Sequence, residues 1–276
     1  MTAEDEGRAS AERFRRDHRL GHQPLGDLVA LIEQTTGIDV AVVDAAKDEH
    51  GMAMRDPERD RVFLVVAKTP HPMRQRSSLA HELAHVLLDD WDELNNDDWA
   101  RRDQKEIRAD AFARHLLVPL KGVKDVLADQ SSFYMADLSA VVQRFLVSPA
   151  MASIALRQAQ LIDDETKAGW MSVSTSALAA RFGWTDQYQA LADESGRTRA
   201  PQRLLARALQ GYLDHVVSLS TVARLRGISD SAMEAELTEA GLQAEPAGVR
   251  WASPADLPPV EVDLSELEEG FEDSPE

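Results

Sequence analysis

Histidine, glutamate and histidine occupy positions 81, 82 and 85 within the run from Arg74 to Leu88, a spacing that carries chemistry if the segment is helical. Residues four apart in a helix lie one above the other on one face, so the His81 and His85 imidazoles could converge on a single metal ion. Glu82 then sits about 100° round the helix from His81. That position is beside the metal but off the line of the two histidines, where a carboxylate can take a proton from water instead of acting as a ligand. Leu79, Ala80, Leu83, Ala84, Val86, Leu87 and Leu88 are apolar at nearly every step, the pattern of a helix buried on most sides.

Two histidines are one ligand short, because catalytic zinc generally has three protein ligands and one open position. Roughly twenty residues on, Glu106 to Asp110 begins a second helix-like run that continues to Val118 and stops before Pro119, as helices tend to. Glu106 is the candidate third ligand. Asp110 shares its face and is placed to accept the far N–H of a ligating histidine, which sets that ring's tautomer and orientation; its rival roles are a cap or a salt bridge with Arg114. His115 would stand about 180° round this helix from Glu106 and reads as outside the metal's ligands. Burying two histidines and a glutamate with no shared partner would cost several kcal/mol in unsatisfied polar groups. His71, Arg74 and Tyr134 are candidates for stabilising an oxyanion, without a motif behind them, and lone histidines such as His18, His22, His50 and His215 read as surface residues.

Arg76 to Leu88, together with Glu106-x-x-Ala109-Asp110-x-Phe112-Ala113-x-x-Leu116-Leu117-x-Pro119, resembles the ImmA/IrrE family of metallo-endopeptidases over residues 25 to 160. The resemblance implies an α+β, zincin-like protease domain with a thermolysin-like Zn²⁺ site. It makes His81, His85 and Glu106 the ligands and Glu82 the general base. It also implies a protein substrate, a helix-turn-helix repressor whose cleavage releases transcription. The other reading is a non-catalytic regulatory protein that contacts a transcription factor or DNA and carries a structural zinc site. Intact Glu82 weighs against it, since a structural site needs no general base.

The elements that must position these groups can be read around them. Leu25, Leu28, Val29, Leu31 and Ile32 predict a helix over 24–36 that Gly37 stops, followed by strands near 38–43, 51–54 and 62–67. A small sheet follows, and substrate peptides in thermolysin-like enzymes lie against an edge strand beside the metal helix. Helices are expected over 123–129, 135–146 and 149–161. The expected organisation is a charged arm, compatible with helix and read as a solvated face, over 1–22; the metallopeptidase domain over 23–162; an all-helical C-terminal domain over 163–255, used for protein recognition or sensing; and an acidic disordered tail over 256–276. Within the helical domain, Thr221 to Ser229 imitates the first helix and turn of a repressor's DNA-binding motif. The helix after it carries Asp230, Glu234 and Glu236 where DNA readers carry Arg, Lys, Asn or Gln, so protein contact is expected in place of DNA contact. Leu178 to Thr185 is a weaker echo of the same motif, shifted by one residue.

The chain holds no cysteine, which excludes a disulfide framework and thiolate ligation and leaves His, Asp and Glu to hold any metal. A formal charge of −18 over 276 residues argues against general affinity for nucleic acid and suits a basic protein partner. The start is polar and acidic, and no apolar run approaches the roughly twenty residues that a membrane span needs. A cytoplasmic protein is expected.

Overall fold

The computed structural model describes residues 2–45, 51–90, 104–128, 130, 132–242 and 244. The acidic stretch 89–103, whose sequence reads as a surface loop joining the two helices, lies outside the described residues from 91 on, as does the expected tail over 256–276. The chain begins with α1 (Ala3–Asp17) and α2 (Leu28–Thr36), then β1 (Asp39–Val43), β2 (Gly51–Asp56) and β3 (Arg61–Ala67). The long helices α3 (Pro72–Leu87) and α4 (Gln104–Leu117) follow, and then the shorter α5 (Leu120–Val126), α6 (Met135–Phe145) and α7 (Pro149–Gln158). The strands form one sheet in the order β1-β3-β2, with β1 parallel and β2 antiparallel to β3. The architecture is mixed α+β with a small sheet and mostly helices, consistent with a zincin-like domain.

Local chemistry sets these boundaries. Asp27 caps α2 by accepting from the Ala30 N–H at 3.1 Å, and Gly37 ends it at φ 69°, a left-handed conformation that glycine adopts without penalty. Pro72 opens α3 at its first turn, where the missing N–H costs nothing. In β1 and β3, Val40, Val42, Leu64 and Val66 alternate inward and are buried. They pack with Leu79, Leu83, Phe112 and Leu116 of α3 and α4 and with Val141, Val142 and Phe145 of α6 in one large core.

The first 22 residues differ from the solvated arm expected of them. Helix α1 lies along α4 with Gly7, Ala11 and Phe14 buried, Phe14 meeting Phe112 edge-on at 6.2 Å between centroids. A Cβ on Gly7 would collide with the Arg108 carbonyl oxygen, so glycine lets the two backbones touch. Of the arginines there, Arg15 is 3% exposed and donates to the carbonyls of Leu116 at 2.8 Å, Gly21 at 2.9 Å and Gln23 at 3.1 Å. Its burial lowers its pKa to about 10.

Helices α8 (Asp164–Met171), α9 (Thr175–Phe182), α10 (Thr185–Ser195), α11 (Gln202–Leu213), α12 (Leu219–Arg226) and α13 (Asp230–Glu239) complete the described chain. The polar stretch 163–169, read as a break, is mostly helix, because Asp163 accepts from the Thr166 N–H at 2.8 Å and starts α8. Trp170, Leu178, Ala179 and Trp184 join the large core; Val222, Ala223, Met233 and Leu237 of α12 and α13 form a separate small one. Both α9 and α12 start at a serine cap and stop at a left-handed glycine, Gly183 and Gly227. The next helix then begins two residues on in one case and three in the other, which is the one-residue shift of the sequence echo. Among the described residues no single helix is long and apolar enough to cross a membrane.

His115, on α4, is 3% exposed, with its Nε2 3.5 Å from Glu4 Oε1 of α1. Burial, helped by the adjacent Arg114, lowers its pKa to about 4 in spite of Glu4. An unfolded histidine titrates near 6.5, so below that pH the unfolded chain takes up the proton first. The contribution to stability is complete above about 6.5 and is lost as pH falls toward 4, to the extent of up to about 3 kcal/mol. His115→Gln should therefore flatten the fall in urea midpoint between pH 7.5 and 5. A wild-type slope in that variant would remove His115 from the acid response.

Candidate metal centre

Helix α3 places His81 and His85 one turn apart, and α4 packs across it so that Glu106, in its first turn, faces both rings. His81 Nε2 is 3.2 Å from Glu106 Oε2, His85 Nε2 is 3.3 Å from Glu106 Oε1, and the two Nε2 atoms are 3.0 Å apart. Among the described residues these three form the one group of His, Asp or Glu side chains whose donor atoms converge as a metal site requires. The fit can be tested by distance. Donors about 2.0–2.1 Å from a shared tetrahedral ion stand roughly 3.3 Å from one another, close to the spacing observed. Two histidine nitrogens and a carboxylate in mutual contact need a proton or a cation among them, and a nitrogen and oxygen set suits zinc and other borderline first-row ions.

The surroundings orient the donors. Asp110 Oδ1 lies 3.0 Å from His81 Nδ1, the contact that commits His81 to donating there and leaves Nε2 free for a metal. Hydrogen bonds from His81 and His85 hold the Glu106 carboxyl well below the usual carboxylate range. His85 Nδ1 is buried without a hydrogen-bond partner, and Asp90 Oδ2 lies 4.0 Å from it. Asp90 is 5% exposed; its N–H donates to the His85 carbonyl at 2.8 Å, and Arg108 of α4 donates to both of its carboxylate oxygens. The end of α3 is thereby tied to α4.

Glu82 stands apart from the converging donors. Burial raises its pKa above the usual carboxylate value, with the charge of Glu106 adding to the rise and His81, His85 and a hydrogen bond from the Ala53 N–H opposing it. A Cβ on Gly51 would come within 2.8 Å of Glu82 Cγ, so the bare backbone at the start of β2 makes the space the carboxylate occupies. Strand β2 is an edge strand. The other edge, at β1, is closed by Arg199, whose N–H and C=O pair with Val42 at 2.9 and 2.8 Å.

The remaining candidates fall elsewhere. His115 sits with Glu4 at the α1 contact, and Arg114 pairs with Glu4 at 2.5 Å and not with Asp110. His71 and Arg74 lie near the start of α3, about 15 and 10 Å along the axis from His81, while Tyr134 precedes α6 and is 68% exposed. Sequence reasoning missed Asp90, Arg108 and Gly51. Asp90 follows the end of α3 and Gly51 opens a weakly patterned strand, and neither position has a spacing rule that points at a metal.

A helix pair bearing convergent His, His and Glu donors, with a separate half-buried carboxylate beside an edge strand, defines a metallopeptidase-like domain. Residues 34–157 match the IrrE N-terminal-like domain family, Peptidase_M78, and this match supports membership of the ImmA/IrrE family. No curated protein matches the chain.

His85→Ala should abolish stoichiometric metal binding, measured by elemental analysis after gel filtration. Asp110→Asn should weaken it by roughly ten- to a hundredfold in a chelator competition. Wild-type affinity in the second variant would show that the His81 contact does not orient the ligand.

Proposed function

We propose that the protein is a zinc-dependent endopeptidase whose substrate is a helix-turn-helix transcriptional repressor. The observation that carries the reading is the placement of Glu82: half-buried, outside the donor set, and facing the edge of β2 that no other strand among the described residues covers. His81, His85 and Glu106 would hold the ion, which when bound would make a water molecule acidic near neutral pH and polarise the scissile carbonyl. Glu82 takes the proton of the attacking water. Its raised pKa suits a group that must accept a proton and release it again within one turnover. As the peptide C–N bond breaks, the same carboxyl returns the proton to the leaving amine. Asp110 keeps His81 in the tautomer that leaves Nε2 available.

The substrate would lie extended along β2. Because the Ala53 N–H turns toward Glu82, the main-chain groups of Gly51, Ala53 and Arg55 share the outward side of that strand, where a peptide can add as a further strand. Recognition of the folded partner is assigned to α11–α13, the unit with its own small core, so the division proposed here falls near residue 200. Asp230, Glu234 and Glu236 are exposed on α13, a charge pattern that repels phosphate and attracts the basic face of a DNA-binding protein.

Glu82→Gln keeps the shape of the side chain and cannot accept the proton. It should retain zinc, still capture the repressor, and cut it 10² to 10⁴ times more slowly, roughly 3 to 5 kcal/mol of transition-state stabilisation. If the variant relieves repression in cells as well as the wild type does, proteolysis is not the mechanism and the binding-protein reading replaces it.

Charge reversal at Glu234 by lysine should weaken capture of the repressor while metal content stays unchanged. Salt-sensitive, sequence-specific DNA binding by the wild-type protein would overturn the assignment of α11–α13 to protein recognition.

A further inference from the structure

A cavity of about 830 Å³ lies on the side of α3 away from its histidines, bounded by α2, β1, the start of α3 and the chain from α10 to α12. None of His81, Glu82, His85 or Glu106 lines it. Its size falls within the roughly 300–1,000 Å³ of small-molecule sites, and like them it has an apolar surface, to which Leu28, Val42, Leu79 and Leu225 contribute from four different elements.

Its charged groups run against the charge of the chain. Four arginines, Arg76, Arg197, Arg199 and Arg226, line it against two acids, Asp27 and Glu194, in a protein of net charge −18. Asp27 is already bound to Arg199 at 2.7 Å. Arg226 pairs outside the cavity lining, with Glu236 at 3.1 Å.

The other two cations form no ion pair among the described residues, although the cavity's acids Asp27 and Glu194 stand near enough to Arg76 to favour its charge. Arg76 donates to the carbonyls of Leu146 at 3.2 Å, Gly26 at 2.6 Å and Leu25 at 2.7 Å, and to no carboxylate. Packing around it lowers its pKa to about 10. A guanidinium desolvated to that degree and paired only with dipoles is normally matched by an anion. Arg197 is exposed at the rim and makes no side-chain ion pair among the described residues.

We propose that this cavity binds a small amphipathic anion, with an apolar body against the leucines and a carboxylate, sulfonate or phosphate group held by Arg76 and Arg197. Two arginines in one site suit an oxyanion, since each guanidinium can donate two parallel hydrogen bonds to it. Cavity walls supplied by segments on several sides suit a compact molecule better than an extended chain.

The test is titration calorimetry of the full chain with decanoate and with anilinonaphthalenesulfonate, and with decyltrimethylammonium as a probe of matched chain length and opposite charge. Saturable binding of an anionic probe near one per chain, with the cation at least about tenfold weaker, is expected. Arg197→Glu, at an exposed position, should fold as the wild type does and weaken anion binding by about tenfold or more. Arg76→Gln should weaken it further in whatever fraction folds. His85→Ala should bind the anions normally, which separates this site from the metal site. Equal affinity for the cation, no saturable binding of either anion, or unchanged affinity in Arg197→Glu would overturn the proposal.

Discussion

Convergence of His81, His85 and Glu106 depends on how closely two helices can approach. Atoms carried by α3 and α4 meet at 3.0 to 3.3 Å, and short side chains at a metal leave little slack in the backbones behind them. Alanine supplies the closeness. Ala80 and Ala84 of α3 and Ala109 and Ala113 of α4 are almost wholly buried, each offering a methyl group where a leucine would push the helices apart. The larger side chains Leu79, Leu83, Phe112, Leu116 and Leu117, also buried, anchor both helices in the common core. A buried helix studded with histidine and glutamate is stabilised by the apolar residues between them, and its polar atoms must satisfy one another.

That requirement spreads outward from the ligands. Asp90 lies where α3 ends, and its carboxylate would be costly if left unpaired. Arg108 of α4 answers it and reaches on to Glu6 of α1 at 3.4 Å. Glu4 and Arg114 repeat the arrangement further along the same pair of helices. Two of the charges that make the first 22 residues look like a solvated arm, Glu4 and Glu6, are the outer members of this network. Helix α1 therefore backs the metal helix directly, with glycine at the contact and arginine and glutamate at its margins.

How much of this was legible in the sequence follows from where each signal resides. The histidine spacing, the glutamate near 106 and Asp110 lie on two regular helices, whose periodicity turns sequence separation into direction, and the structure brings these residues together where that periodicity put them. Strands β1 and β3 were readable from their β-branched runs, whereas β2 has no β-branched residue and gave only a weak signal. The burial of α1 was not readable, although its helical character was, because its contact face uses Gly7 and Ala11, which carry almost no hydrophobic signal. The stretch 163–169 misled in the opposite sense, since acids in a helix's first turn look like a linker when their capping role goes unnoticed. Gly51 and the cavity were out of reach in principle. Each depends on segments distant in sequence, and no local pattern records what a missing Cβ or an empty volume will face.

The two sites share one element. Arg76 lines the cavity and Glu82 follows six residues later on α3, about 9 Å along the axis. A helix held in a close-packed core moves as a body instead of bending locally. Any ligand that draws on Arg76 therefore pulls on the backbone that sets Glu82 against Ala53 and the histidines against Glu106. The opposite side of the cavity is formed by the chain running into α11 and α12, so the ligand would also bridge the peptidase core and the small helical unit. Gln75, one residue before Arg76, ties α3 to β3 and to the end of α10, with its amide donating to the carbonyls of Ala67 and Ser195 at 3.0 Å each. With the proposed anion in the cavity and Glu82 in its proposed role, both ends of the coupling would lie on one rigid helix.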